Sequence, residues 1–246
     1  MEATNHEART YLLIHGGWAG GWCWERIAPA LERAGHRVLA PDLPGHGDDG
    51  GDVAGHTLST YVDFVVALLD REAEPVIVVA HSSSGIIASQ AAEHRPGRVA
   101  RIVYLCAYLP SDGESLMSLG AQDAEQILLP NLIPSADGST VSVRREVVRE
   151  ALFADCSEDV CDAAAARFTA GEPLAFAGAP VSLTEARFGA VPKTYVECTQ
   201  DRAISPALQR KMYLAAGCER VITMETGHSP HYAAPERLTE HLLALG

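Results

Sequence analysis

The sequence predicts an α/β fold with a mostly parallel sheet of about six strands, helices on both faces and a helical cap insertion. Two observations predict it. Short apolar runs rich in β-branched residues are typical of strands buried on both faces, and helical patterns lie between them. Strands that alternate with helices pair in parallel, because each helix returns the chain to the same edge of the sheet. The apolar runs are 11–14, 38–40, 76–80, 102–107, 194–198 and 221–224.

Glycine and proline mark the limits of the predicted helices. Gly35 and Gly217 follow helical patterns as typical C-terminal residues. Pro206 and Pro235 stand at the first helical turn, where the N–H that proline lacks would have no helical partner. The predicted helices are 24–34, 58–70, 85–95, 206–216 and 235–245.

We expect a single domain over residues 1–246, with a cap insertion at about residues 111–189. No linker rich in proline, serine or glycine divides the chain. The insertion is rich in alanine and glutamate, follows helical patterns and contains no convincing buried strand. We expect its apolar side chains to face a pocket at the strand ends; a set of peripheral helices is the alternative.

Composition and charge exclude several classes of function. The 246 residues include 19 basic and 32 acidic side chains, for a net charge of −13, which disfavours a nucleic-acid partner. Residues 1–10 are polar, so we expect a loose tail rather than a signal peptide or membrane anchor. The six scattered cysteines contain no C-x-x-C pair and indicate thiols in a cytoplasmic protein. The expected partner is a small molecule, and the sequence also permits a homodimer.

A predicted strand runs directly into a turn of small residues and then a helix, and this segment carries the predicted nucleophile. The turn forces strained dihedral angles on its central residue, so the residues two before and two after it must be small. With Ser82 at the centre these are Ala80 and Ser84, whereas with Ser83 at the centre one would be His81, whose ring fits poorly. The pattern therefore predicts Ser82; a strand-to-helix turn with a serine cap is the alternative.

A serine nucleophile needs a base, and the base needs an acid that orients it. In this architecture the order along the chain is serine, acid, histidine. Asp201 and His228 follow two consecutive predicted strands, at the strand ends where catalytic groups concentrate. Asp112 is the alternative acid. Gly227 gives His228 the tight turn that such a loop needs, so His231 is predicted to be a pocket or structural residue.

Backbone N–H groups for an oxyanion are predicted in the glycine loop after the first strand and at the start of the helix after Ser82. The predicted donors are Gly17 and Ser83. No His, Cys or Asp cluster has the spacing of a zinc site, and the glycines lack the dinucleotide-binding spacing, so we expect no metal and no cofactor. The candidate pocket residues are Gly16, Trp18, His81, Tyr108 and His231.

These motifs together resemble the α/β-hydrolase superfamily. The resemblance is carried by the Ser82 turn, Asp201 and three segments, HGGWAGGWCW at 15–24, APDLPGHGD at 40–48 and GHSP at 227–230. The nearest branch contains plant methylesterases, hydroxynitrile lyases and their bacterial relatives. The resemblance implies a cofactor-free Ser-His-Asp hydrolase that cleaves a small ester, or another carbonyl substrate, through an acyl-enzyme.

Two positions bear on the type of reaction. The lyases of this branch resemble the chain in the triad but carry threonine where Gly16 stands and lysine where Ser229 stands. Both lyase markers are missing, which favours ester hydrolysis. Two alternatives stay open: a natural-product tailoring enzyme (lyase, lactonase or cyclase) on the same triad, and a non-catalytic small-molecule receptor.

Overall fold

The structure is a computed structural model that describes residues 8–48 and 50–246. The predicted N-terminal tail falls mainly on residues 1–7, which lie outside the described residues. None of the helices in the described part of the chain has the length and apolar character that a bilayer crossing requires. All six cysteines are free thiols, and four of them are buried.

The central sheet contains six parallel strands, and it confirms the predicted fold class. Within the described residues, the strands are β1 (Thr10–Ile14), β2 (Arg37–Leu39), β3 (Val76–His81), β4 (Val99–Leu105), β5 (Leu132–Pro134), β6 (Thr140–Val143), β7 (Glu172–Pro173), β8 (Lys193–Cys198) and β9 (Arg220–Met224). Six of them form the central sheet, in the order β2-β1-β3-β4-β8-β9. Because all six run in the same direction, their carboxyl ends meet at one edge.

All five predicted helices are present, one of them shorter than expected, and the described residues contain five further α-helices. They are α1 (Ala28–Arg33), α2 (Leu58–Leu69), α3 (Ser84–His94), α4 (Leu116–Gly120), α5 (Arg145–Leu152), α6 (Glu158–Ala165), α7 (Leu174–Gly178), α8 (Pro206–Ala215), α9 (Pro230–Ala233) and α10 (Pro235–Leu243). The first predicted helix does not begin at residue 24, because Gly21–Trp24 is a separate 3₁₀ turn. Pro29 lacks an N–H and is accepted only in the first turn, so α1 begins at Ala28.

The chain between β4 and β8 differs from the expectation of helices alone. It contains helices α4 to α7 together with a small antiparallel sheet in the order β5-β6-β7. These strands are only two to four residues long. A segment this short does not repeat often enough to give a strand periodicity in the sequence. In addition, β7 pairs with a strand that lies 33 residues earlier in the chain, with Pro173 opposite Thr140.

The core lies on both faces of the central sheet. Alternate residues of β1 belong to two different apolar clusters: Leu12 and Ile14 pack with α2, α3 and α8, whereas Tyr11 and Leu13 pack with α1 and α10. This alternation follows from the period of two in a strand. Because both faces are covered, polar side chains that must reach a ligand are left to the loops at the carboxyl edge.

Candidate active site

Ser82 lies in a tight turn between β3 and α3. Its φ angle is +56°, a left-handed conformation that is unfavourable for a residue with a side chain. Three backbone hydrogen bonds hold the turn: Ser82 N donates to Leu105 O at 3.3 Å, and Ser82 O accepts from Gly85 N at 3.3 Å and from Tyr108 N at 3.0 Å. The turn therefore presents the Ser82 hydroxyl outward at the carboxyl edge of the sheet.

Two small residues that follow Ser82, Ser84 and Gly85, hold the turn in place and allow close packing around it. The Ser84 hydroxyl donates to Ile14 O at 3.1 Å and to His81 O at 2.8 Å, so a serine replaces the usual glycine and ties the turn to two strands. A Cβ atom on Gly85 would lie 2.1 Å from Tyr108 O. Only glycine at that position lets α3 approach the loop after β4 so closely.

The structure brings Ser82, His228 and Asp201 into one hydrogen-bonded series. His228 Nε2 lies 2.9 Å from Ser82 Oγ, and His228 Nδ1 lies 2.8 Å from Asp201 Oδ2. His228 and Asp201 are 2% and 4% exposed, so water does not compete for these bonds. The alternative acid, Asp112, instead accepts a hydrogen bond from Leu183 N at 2.8 Å.

Asp201 is held in one orientation by donors on both carboxylate oxygens. Oδ1 accepts from Ala203 N at 2.8 Å and from Ile204 N at 3.0 Å, and Oδ2 accepts from Gln209 Nε2 at 3.1 Å. The remaining donor to Oδ2 is His228 Nδ1, which leaves the other ring nitrogen as an acceptor towards Ser82. The sequence analysis missed Gln209, although its place in the first turn of α8 could have indicated it.

The backbone of His228 is held as firmly as its ring. The carbonyl of His228 accepts from His81 Nε2 at 2.8 Å and from Cys106 Sγ at 3.3 Å. Potential ligand atoms of these three residues lie within 4.8 Å of one another, a grouping that the linear spacing did not indicate. Each of them already contributes to the contacts around His228, so among the described residues the cluster positions the histidine.

The two predicted oxyanion donors lie side by side at Ser82. A Cβ atom on Gly17 would lie 3.6 Å from Ser83 Oγ, and both residues line the same cavity as Ser82. Neither backbone N–H donates to any described residue. Ser83 also immediately precedes α3, whose N-terminal dipole favours negative charge. The arrangement can therefore accept an anionic oxygen.

Ser82 stands between two cavities of very different size. The larger, about 310 Å³, is mainly apolar; the cap supplies most of its wall, and Tyr108 also lines it. The smaller, about 30 Å³, lies on the side of His228 and is lined by the predicted pocket residues Gly16, His81 and His231. Trp18 lines both cavities.

A buried carboxylate from the cap lies beside the glycine loop. Glu172 Oε1 accepts a hydrogen bond from Trp18 N, a residue with a φ angle of +59°, and lies 2.6 Å from His46 Nε2. Burial alone would disfavour the charged imidazole, but the charge and hydrogen bond of Glu172 outweigh it and raise the pKa of His46. The sequence analysis gave neither residue a role: His46 lies in the segment 40–48 that carries the family resemblance, whereas Glu172 stands in no motif.

Adding a methyl group at Gly16 is expected to disturb the site. A Cβ atom there would lie 2.8 Å from His81 Nδ1 and 2.9 Å from Ser82 Cβ, closer than real contacts. We expect Gly16→Ala to destabilise the protein by about 1–3 kcal/mol and to lower kcat/KM for an ester by about tenfold or more. Urea unfolding and ester kinetics measure the two effects, with Gly55→Ala, where no atom lies within 4 Å, as the control. Equal behaviour of the two variants would contradict the prediction.

Acid is expected to destabilise the fold through buried histidines. Burial is the main cause that lowers the pKa of His15 and of His231 to about 3, and it holds the pKa of His81 well below its usual value. Between about pH 6.5 and about pH 3 the unfolded chain binds protons on His15 and His231 that the folded protein does not bind, and His81 contributes in the same direction. The free energy of unfolding should therefore fall with decreasing pH, by about 1.4 kcal/mol per pH unit for each histidine.

Urea unfolding at a series of pH values checks this expectation. His231→Gln should reduce the slope of stability against pH by about the share of one histidine. The exposed His94 provides a matched control, since His94→Gln should leave the slope unchanged. A slope that is the same in the wild type and in His231→Gln would contradict the role of this buried ring.

Comparison with known sequences identifies relatives over most of the chain. The model of the alpha/beta hydrolase family matches residues 11–241. A pyrethroid hydrolase from Sphingobium wenxiniae is 32% identical over 93% of this chain and 84% of its own length. Salicylic acid-binding protein 2 from Nicotiana tabacum is 27% identical over 97% of both chains. A chloroplastic relative from Arabidopsis thaliana is 29% identical over 98% of this chain, which spans 64% of that relative's length.

Solved structures show the same architecture. A pyrethroid hydrolase from Sphingobium faniae JZ-2 has a TM-score of 0.82 at 27% identity, over 97% of both chains. Polyneuridine aldehyde esterase has a TM-score of 0.86 at 21% identity, over 97% of this chain and 99% of its own, a similarity that bears on the fold alone.

Proposed function

This chain belongs to the alpha/beta hydrolase family, and from that membership we propose that it is a cofactor-free serine hydrolase that cleaves a small carboxylic ester through an acyl-enzyme. The observation that carries the proposal is the series of hydrogen bonds from Ser82 through His228 to Asp201, at the junction of two cavities. The names of its relatives, which include methylesterase 2 of Arabidopsis thaliana and a pyrethroid hydrolase, support ester hydrolysis.

The first half of the reaction transfers the acyl group to Ser82. His228 Nε2 removes the hydroxyl proton while Ser82 Oγ attacks the carbonyl carbon, and Asp201 stabilises the imidazolium that forms. The carbonyl oxygen becomes an oxyanion and accepts hydrogen bonds from the N–H groups of Gly17 and Ser83. His228 Nε2–H then protonates the leaving alkoxide, the carbon–oxygen bond breaks and the alcohol departs.

The second half releases the acid. A water molecule takes the place of the alcohol, His228 Nε2 accepts one of its protons, and the resulting hydroxide attacks the acyl carbon. The second tetrahedral intermediate uses the same two N–H groups. Its collapse returns the proton from His228 to Ser82 Oγ and frees the carboxylic acid, so the site is regenerated without any cofactor.

The two cavities support a small alcohol and a larger acid. The leaving oxygen must lie against His228 Nε2, on the side of the recess of about 30 Å³. A recess of this size holds about one or two water-sized groups, which suits methanol or ethanol. The acid then lies in the cavity of about 310 Å³, next to Gly17 and Ser83. We therefore propose that methyl and ethyl esters are the preferred substrates.

A labelling experiment together with an ester series tests the proposal. The wild type is treated with a fluorophosphonate, and mass spectrometry locates the adduct; turnover is measured for methyl, ethyl, butyl and benzyl esters of one acid. We expect the label on Ser82 and a kcat/KM that falls as the alcohol grows. A label on another residue would refute the nucleophile, and a label on Ser82 without turnover of any ester would favour a receptor.

A further inference from the structure

We propose that Glu172 is a specificity-determining residue, whose carboxylate oxygen Oε2 accepts a hydrogen bond from a hydroxyl or N–H group on the acid part of the substrate. The inference rests on the proposed function, because it concerns the acyl group that would be transferred to Ser82. It predicts that the preferred acid carries a hydrogen-bond donor as well as an apolar body.

Glu172 lies near Ser82 in the cavity of about 310 Å³ that would hold the acid part of the substrate, called the acyl cavity below. The residue comes from β7 of the cap and lines the larger cavity together with Gly17, Ser82 and Ser83. A Cβ atom on Gly17 would lie 3.6 Å from Glu172 Cδ and 3.6 Å from Ser83 Oγ. A group held by Glu172 would therefore lie on the part of the acid close to the reacting carbonyl.

The two carboxylate oxygens of Glu172 differ in their hydrogen bonds. Oε1 faces two donors, Trp18 N–H and His46 Nε2, whereas Oε2 has no hydrogen bond to any residue within 8–48 and 50–246. The Glu172 side chain is 10% exposed. Oε2 is not fully enclosed, so in the free protein water can reach it and supply the donor that a carboxylate oxygen needs. A substrate that fills the cavity removes that water, so its own donor must replace it.

The neighbouring histidine makes Glu172 a strong acceptor without leaving an isolated negative charge beside the oxyanion site. His46 Nδ1 lies 3.2 Å from Pro44 O, and His46 Nε2 lies 2.6 Å from Glu172 Oε1. Both ring nitrogens face acceptors, so both donate, and a histidine that donates twice is an imidazolium. Its positive charge compensates the carboxylate, while the hydrogen-bonding capacity of Oε2 remains.

The apolar lining of the rest of the acyl cavity explains why a single acceptor, Glu172 Oε2, should affect the choice of substrate. The cap wall around Glu172 is apolar and includes Leu116, Leu129, Leu174 and Phe176. An acid without a donor would pack against this wall but leave Oε2 without a partner, which is the situation that sites built for hydrogen bonding reject most strongly. An acid with a suitably placed donor satisfies both the apolar wall and the carboxylate.

Paired esters test the inference. Each pair consists of a methyl ester of phenylacetic acid with one hydroxyl group, on the α-carbon or at one ring position, and its methyl ether, which keeps the oxygen but cannot donate. We expect the wild type to prefer at least one hydroxyl ester over its ether by about tenfold or more in kcat/KM. Because the hydroxyl group stands at a different position in each pair, the series covers a range of distances between the reacting carbonyl at Ser82 and Glu172 Oε2.

Glu172→Gln makes the test specific, because it should reverse the preference. The glutamine oxygen can still accept from Trp18 N–H and His46, so its NH₂ group takes the place of Oε2 and presents a donor to the cavity. The ether should then react as fast as the hydroxyl ester or faster. The cap carboxylate Glu114, which accepts from Ser111 N and Gln122, gives the control: Glu114→Gln should leave the ratio unchanged.

The outcomes distinguish three cases: Glu172 binds a donor on the substrate, Glu172 only holds the glycine loop in place, or the protein does not cleave esters. If Glu172 only braces the glycine loop, Glu172→Gln lowers kcat/KM for both members of a pair equally, and the inference is overturned. Equal wild-type rates within every pair overturn it as well, even if Ser82 is labelled and esters are cleaved. If no ester is cleaved, the proposed function fails, and calorimetric binding of the pairs to Ser82→Ala protein decides on Glu172 alone: a hydroxyl preference supports the inference, and its absence refutes it.

Discussion

Replacement of Ser82 by alanine is expected to lower kcat/KM for a good ester substrate by about 10⁵- to 10⁶-fold. The hydroxyl oxygen lies 2.9 Å from His228 Nε2 in a turn that projects it into both cavities. Without this oxygen the proposed acyl-enzyme cannot form, and only direct attack by water remains, aided by the proposed oxyanion donors. Steady-state kinetics on a methyl ester, with loss of fluorophosphonate labelling, measures the effect.

Folding of this variant should be close to that of the wild type. Alanine has the same Cβ atom, so the strain of the positive φ angle is unchanged, and the three backbone hydrogen bonds of the turn remain. The exposed Ser182 gives the control, since Ser182→Ala should keep full activity and labelling. Residual activity of more than about one per cent in Ser82→Ala, after removal of any wild-type contamination, would show that another group is the nucleophile.

Asp201→Asn is expected to lower kcat by about 10⁴-fold with little change in KM. Asp201 Oδ1 accepts two backbone N–H groups, so the asparagine oxygen would take that place and its NH₂ group would face His228. His228 would then carry its proton on Nε2 and could no longer accept the proton of Ser82. Gln209 cannot relieve the conflict, because its own amide is held by Cys198 and Ile204.

The pH profile and a matched variant distinguish this mechanism from a general loss of structure. Raising the pH should recover part of the rate of Asp201→Asn, because hydroxide in solution can assist the deprotonation of Ser82. Asp112, the alternative acid in the sequence, bonds to Leu183 instead, so Asp112→Asn should keep nearly full activity. If Asp112→Asn were the slower enzyme, the assignment of the acid would be wrong.

The extent to which the fold could be predicted depends on the length of each element. The four inner strands of the central sheet are largely buried on both faces and give continuous apolar runs, and helices α1, α8 and α10 have glycine or proline at an end. The cap sheet escaped prediction, because strands as short as Glu172–Pro173 leave no periodic pattern. The first helix is shorter than predicted, because Pro29 lacks an N–H and is accepted only in the first turn of a helix.

The candidate site, like the fold, could be predicted only in part from the sequence. The sequence alone determined which loops carry Ser82, Asp201 and His228, because each follows a strand with a strong local signal and parallel strands end at one edge. Only the tertiary structure decided how these loops are held and what faces them. Glu172 meets His46 and Trp18 across 126 and 154 residues of chain, and no local pattern encodes such a contact. The proposed specificity depends on those long-range contacts, because cavity walls form only when distant segments pack together.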